Sequence, residues 1–262
     1  IIKDVYVHFE VLVSRPDVPV LEIKPVRLGL YKSWTASMDE GWTRWVLEQF
    51  EFPYQSVYDK DIREGDLLKK YDVLVLPDIR ENSIIKGLSE SSAPLEYTGG
   101  IGDVGVNNIR QFIRNGGCLI TLNSSAEFAV NRLYLGVKNV IQGISRKEFF
   151  IPGSILKVLN DQAHPIAYGY CRDTYVFFRR SPVFSVNEGV SVARYPAKSF
   201  QSGWIHGEEL LVNRSAIADV PYEKGRVILL GFPALYRGQA HGTFRYFFNA
   251  IFYGAAGSDF ML

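Results

Sequence analysis

Three short stretches restrict this chain more than any other feature. They are "DVLVLPD" at 72–78, "CLITL" at 118–122 and "GRVILLGF" at 225–232. In each, apolar residues follow one another instead of alternating with polar ones. A strand of this kind must be covered on both faces, as a central parallel strand flanked by helices is. The segments between them supply the helices. "SMDEGWTRWVLEQF" opens with Ser37 and Glu40 at the S-x-x-E spacing of a capping box and then sets Trp42, Trp45, Val46 and Phe50 on one stripe. A helix with Ile109, Phe112 and Ile113 inward is stopped by Gly116-Gly117. "GTFRYFFNAIFYGA" carries a wide apolar stripe of Phe244, Phe247, Phe248, Ile251 and Phe252. With "VRLGLY" and "YQSVYD" as shorter strands and "DIREGDLLKKY" as a polar helix or turn, the order predicts an α/β fold: a doubly wound, mostly parallel sheet.

Two regions depart from that rhythm. Residues 1–24 contain "DVYVHFEVLV", whose alternating Val5, Val7, Phe9, Val11 and Val13 predict a lead-in strand, followed by a proline-rich linker. The main domain then runs over 25–262. Within it, residues 138–224 hold "SILKVLN", "TYVFF", "VSVARY" and "SAIADVPY", strand-like pieces separated by Pro, Gly and Asn, which form a β-rich insertion or an extension of the sheet. The chain begins Ile-Ile-Lys without Met, which points to a fragment or a trimmed protein.

Composition removes some classes of partner. Of 262 residues 47% are hydrophobic, enough for a sizeable core, and the net charge of +1 favours neither nucleic acid nor an acidic membrane. No apolar run approaches the ~18 residues of a membrane span. The two cysteines, Cys118 and Cys171, are too few for a disulfide framework, although a single bridge between them is open.

Chemistry-bearing residues collect at a few turns. "LITLNSSAEF" runs a buried strand through a tight turn into a helix, the context of a nucleophile elbow. Ser124 and Ser125 are the candidate nucleophiles there, or else Asn123 or Ser124 caps the helix. His241, in "YRGQAHGTF", is a candidate base, with Arg237 and Gln239 as ligand contacts; otherwise "HGT" closes a loop and Thr243 caps the last helix. Trp34, Asp39 and Glu40 stand where a loop enters the first helix and are further candidate ligand contacts, although capping alone would account for the acids. His206 and Glu209 match H-x-x-E but lack a third ligand, so no metal is assigned. Gly100, Gly102 and Gly105 have dinucleotide-loop spacing but do not follow a strand, which favours a plain edge loop.

Taken in order, "RLGLYKSWTASMDEGWTRWVLEQF", "GGIGDVGVNNIRQFIRNGGCLITLNSSAEFAV", "SGWIHGEELL" and "GRVILLGFPALYRGQAHGTFRYFFNAIF" resemble the C-terminal part of large bacterial proteins described as zinc carboxypeptidases, over about residues 25–255. The resemblance implies a class I glutamine amidotransferase-like domain that follows an N-terminal peptidase domain outside this chain. That domain would hold the zinc, leaving no cofactor here, and the whole would be periplasmic or extracellular. In the amidotransferase fold the elbow residue is a Cys, whereas Asn123-Ser124-Ser125 has none and Cys118 sits inside the strand. Without a thiolate the glutaminase reaction has no nucleophile. Two expectations follow. One is a non-catalytic accessory domain that binds a small-molecule or peptide ligand or mediates assembly. The other is a residual serine hydrolase or amidase using an elbow Ser and His241, which requires a strained elbow and a Ser–His contact of about 3 Å.

Overall fold

The computed structural model describes residues 13–14 and 23–256. The lead-in strand expected over 5–13 therefore lies, except for Val13, outside the described residues. The chain first lays down β1 (Leu28–Tyr31), α1 (Met38–Gln49), β2 (Gln55–Val57), α2 (Asp59–Glu64), α3 (Leu67–Lys70), β3 (Val73–Leu76), α4 (Glu81–Lys86), α5 (Gly102–Arg114), β4 (Cys118–Leu122) and α6 (Ser125–Arg132). Seven strands follow: β5 (Val137–Asn139), β6 (Ser154–Asn160), β7 (Asp173–Phe178), β8 (Phe184–Val186), β9 (Val190–Arg194), β10 (Phe200–Ser202) and β11 (Ser215–Tyr222). The chain then returns to the first pattern with β12 (Gly225–Leu230) and α7 (His241–Ala255).

All twelve strands join one sheet. Its parallel core runs β2-β1-β3-β4-β12, so successive connections leave β1 in opposite directions. Past β12 the order continues β11-β9-β6-β10 with antiparallel pairing, while β7 pairs with β6 and β8 with β11 and β5. Residues 138–224 thus extend the same sheet. The α/β architecture is the one the sequence predicts.

The uninterrupted apolar strands divide by residue parity. Val73, Val75, Cys118, Ile120 and Ile228 face Val46 and Leu47 of α1 and Phe244, Phe247 and Ile251 of α7. Leu74, Leu76, Leu119, Val227 and Leu229 face Ile62, Ile84, Ile109, Phe112 and Phe128 on the other side. Each such side chain contributes about 1.5–3 kcal/mol by leaving water, so two-sided burial makes these strands the centre of the fold. The α7 helix comes close to β4: a β-carbon at Gly254 would lie 2.5 Å from Cys118 Sγ.

Three local expectations are corrected. On α1 the buried side chains are Glu40, Thr43, Val46 and Leu47, whereas Trp45 and Phe50 are 40% and 58% exposed. Trp45 lies over Gly238, and Phe50 stands against Phe244 and Phe248 at the rim of α7. The capping box is half made: Ser37 Oγ accepts the Glu40 N–H at 3.2 Å, but the Glu40 carboxylate turns toward Arg44 instead of closing back. The glycine-rich loop is already helix from Gly102, and Gly100 is fixed by packing, since a β-carbon there would meet the Ile84 carbonyl at 2.3 Å.

Candidate functional site

The carboxyl ends of β1, β3, β4 and β12 deliver their loops to one edge of the sheet, the edge where open α/β sheets bind ligands. At the end of β4 the elbow residue is Asn123, at φ +50°. Asn enters the left-handed region readily because its short polar side chain bonds locally. Here its Nδ2 donates to Asp78 Oδ2 at 2.6 Å, and the Ser124 N–H donates to Asp78 Oδ1 at 3.1 Å. Asp78, on the loop after β3, therefore provides the anionic acceptor at the start of α6, and the Ser124 hydroxyl makes no capping bond. The left-handed geometry falls on Asn123, while Ser124 is helical at φ −61°.

Ser125 is enclosed by backbone. It is 0% exposed, its Oγ accepts the Leu122 N–H at 2.9 Å, and its hydroxyl lies 2.9 Å from the carbonyls of Leu76 and Leu122. Among the described residues no hydrogen bond joins Ser124 or Ser125 to a histidine. His241 is exposed, begins α7, and stacks on Phe244 with ring centroids 5.0 Å apart. Thr243 does not cap α7 either; its hydroxyl lies 2.6 Å from the Ala234 carbonyl and 2.9 Å from that of Ala240.

Two carboxylates and two guanidiniums share this edge. Burial, with the Asp78 carboxylate beside it, pushes Asp39 up to about 6 against the pull of Arg179 and Arg237. The gap among Asp39, Thr43, Asp78, Leu122 and Tyr236 is about 10 Å³, room for one water. Arg237 is itself left-handed, at φ +52°, and lies over the Tyr236 ring, which Arg179 also approaches. Gln239 is exposed and among the described residues bonds only through its backbone, its N–H donating to the Tyr236 carbonyl and its carbonyl accepting the His241 N–H.

A roomier crevice opens between the β1 and β3 loops, where the connections out of β1 diverge. It holds about 230 Å³ and is lined by Tyr31, Lys32, Ser37, Glu40, Arg44 and Ile79, among others. Glu40 is only 7% exposed, and its Oε1 has no hydrogen-bond partner. Its nearest opposite charge is Arg44 Nε at 3.8 Å. A buried carboxylate oxygen without a donor is costly, so its occurrence at a ligand edge is notable. Trp34, expected here, is directed elsewhere: it stacks on Tyr58 at 4.9 Å and meets Tyr97 edge-on at 4.6 Å.

Of the residues that share this edge, the sequence pattern singled out Asp39 and Glu40 but not Asp78, Lys32 or Arg44. Asp78 was legible in principle as the acid after Pro77 at the end of a fully buried strand, the position from which side chains reach this edge. The remaining candidates lie apart. His206 Nε2 is 2.7 Å from the Lys147 carbonyl, and among the described residues no three His, Cys, Asp or Glu side chains gather as a metal would require. His164 lies buried 3.3 Å from Asp219, which also pairs with Arg226 at 2.8 Å. Cys118 is buried and Cys171 exposed, and both are free thiols, so no bridge joins them.

No protein-family model matches the sequence, and no curated protein does either. Solved structures do resemble it. A β-galactosidase from Bacillus circulans sp. alkalophilus superposes with a TM-score of 0.52 at 11% identity, over 88% of this chain and 30% of that one. A ThuA-like protein from Bacteroides uniformis gives 0.50 at 10% identity, over 90% of this chain and 94% of its own. A GMP synthase subunit protein from Thermoplasma acidophilum gives 0.51 at 13% identity, over 88% and 94%. This chain thus spans less than a third of the β-galactosidase but nearly all of the other two. These likenesses overturn the carboxypeptidase parent that the sequence resemblance implied: the neighbours include a ThuA-like protein and a GMP synthase subunit protein, and nothing in them points to a peptidase. The metallopeptidase partner domain, its zinc and the exported location came with that resemblance and lose their support. What the neighbours establish is that this chain has the glutamine amidotransferase-like α/β fold.

Proposed function

We propose that this chain is a non-catalytic accessory domain that binds a small polar ligand in the crevice between the β1 and β3 loops. The observation that carries the reading is the elbow. Its left-handed position is held by Asn123, whose amide is taken by Asp78, and the following serine hydroxyls have no histidine partner among the described residues. A nucleophile needs a base within hydrogen-bonding reach, and Ser125 is closed off by two backbone carbonyls. The crevice supports the binding half of the reading, because Glu40 presents a buried, unfilled acceptor beside Lys32 and Arg44. The β-galactosidase supports the accessory half, since a domain of this fold makes up under a third of that chain.

The test is direct. The purified chain is incubated with p-nitrophenyl acetate and with L-glutamine, and nitrophenolate and ammonia are measured. The expected result is no release above buffer. Hydrolysis that disappears in both Ser124→Ala and His241→Ala would overturn the proposal in favour of the serine hydrolase.

A further inference from the structure

A second cavity, of about 460 Å³, has Ser124 of the elbow on its wall and shares no lining residue with the crevice. Four cations line it, each from a different element or turn: Arg80 before α4, Lys86 at the end of α4, Arg132 at the end of α6, and Arg180 after β7. The two carboxylates on its wall are already engaged. Glu81 takes Arg132 and the Asn131 amide, and Glu127 takes the Asn139 amide. Four positive charges against two negative leave a formal +2. Among the described residues Arg80, Lys86 and Arg180 make no side-chain hydrogen bond or ion pair, and the Ser124 hydroxyl, also on the wall, makes none.

Like charges brought together around one concavity repel unless something between them neutralises the field. Arg180 is held there by the fold: it sits at φ +52°, and its N–H donates to the Ile151 carbonyl at 3.2 Å. Arg80 is also anchored by its backbone, its carbonyl accepting the N–H groups of Ser83 at 2.9 Å and Ile84 at 3.2 Å. The backbone thus holds the two arginines' main chains beside one cavity, and among the described residues neither guanidinium has a partner. Planar guanidinium forks match the oxygens of carboxylates and phosphates.

We propose that this cavity is a binding site for a compact dianion, a phosphate monoester or a dicarboxylate, gripped by Arg80 and Arg180 with Lys86 and Ser124 in support. The site is separate from the Glu40 crevice and does not depend on what fills it.

The test uses the whole chain at constant ionic strength, with chloride exchanged for inorganic phosphate in one series and for succinate in another. Thermal melting and calorimetry are read in both, for the wild type and for an Arg80→Gln/Arg180→Gln double variant. Both residues are exposed and unpaired, so the variant folds, which circular dichroism checks. The proposal expects saturable stabilisation by one of the two dianions. Two lost charge-assisted bonds should weaken it at least about tenfold in the variant. The stronger dianion identifies the source, a phosphate ester or a dicarboxylate. A non-saturable effect, no effect from either dianion, or equal binding by the double variant would overturn it.

Discussion

Asn123 Nδ2 donates to Asp78 Oδ2 at 2.6 Å while Asp78 Oδ1 accepts the N–H of Ser124 at 3.1 Å. One carboxylate thus ties the loop after β3 to the turn after β4, at the point where this fold would hold a nucleophile. A left-handed turn and an anionic acceptor at a helix start are retained as structure, with an amide where a reactive thiol would stand.

That tie makes a prediction about the turn. Asn123→Ala keeps a β-carbon in the left-handed region, which costs about 1–2 kcal/mol for an ordinary residue, and loses the local side-chain bond to a charged group that holds Asn there. Asn123→Gly loses the same bond but also the β-carbon, so the backbone is unstrained. The alanine variant should be the less stable of the two by about 1 kcal/mol in urea titration. Equal midpoints would show that the turn relaxes out of the left-handed region.

Asp39 gives a pH dependence of defined sign. Burial and the neighbouring Asp78 push it up to about 6 in the folded protein, against about 3.9 when unfolded. Between those values the folded state holds the extra proton, so this group's contribution falls as pH rises through the window and is level above it. Asp39→Asn removes the dependence. The variant should match the wild type near pH 4 and exceed it near pH 7 by about 1 kcal/mol, a figure reduced for partial solvent screening. Melting curves from pH 4 to 7 measure this, and a difference that shrinks toward pH 7 would reverse the assignment.

The two cysteines should separate kinetically. Cys171 is exposed, whereas Cys118 lies inside β4, where burial pushes its thiol far up. The thiolate is the reactive form, so a disulfide reagent should titrate one thiol in the native chain and a second only on unfolding. Two fast native thiols would mean that β4 and α7 open readily.

The parallel core was legible because the same residues that pack also signal. A run such as Val73-Leu74-Val75-Leu76 feeds two cores by parity, and nothing but a covered strand tolerates it. The α1 stripe was read less well. Trp45 and Phe50 are large and apolar, yet their contacts are set by α7 and Gly238, which are remote in sequence. The site was legible only in part for a similar reason. Glu40 and Asp39 stood out beside a helix start, and Arg44 was within reach as the i+4 neighbour of Glu40 on α1, but Asp78 and Arg179 come to Asp39 only through the loops after β3 and β7. The two serines were misleading because a strand–turn–helix pattern does not say which of three consecutive residues takes the left-handed conformation.

Glu40 separates a ligand crevice from a merely structural one. Its carboxylate is buried, one oxygen lacks a donor, and Arg44 stands at 3.8 Å, beyond hydrogen-bonding distance. A carboxylate kept for folding would be paired, and its removal would be harmful. One kept for a ligand burdens the empty domain, so neutralising it should help. Glu40→Gln preserves shape and removes the charge, and it should raise the midpoint of the ligand-free chain, with a gain of about 1 kcal/mol in urea titration. Arg44→Gln should do the opposite, because it takes away the cation 3.8 Å from Glu40 and leaves the carboxylate less compensated. If Glu40→Gln instead lost more than about 1 kcal/mol, Glu40 and Arg44 would be a structural pair, and the crevice would lose its main claim to a ligand.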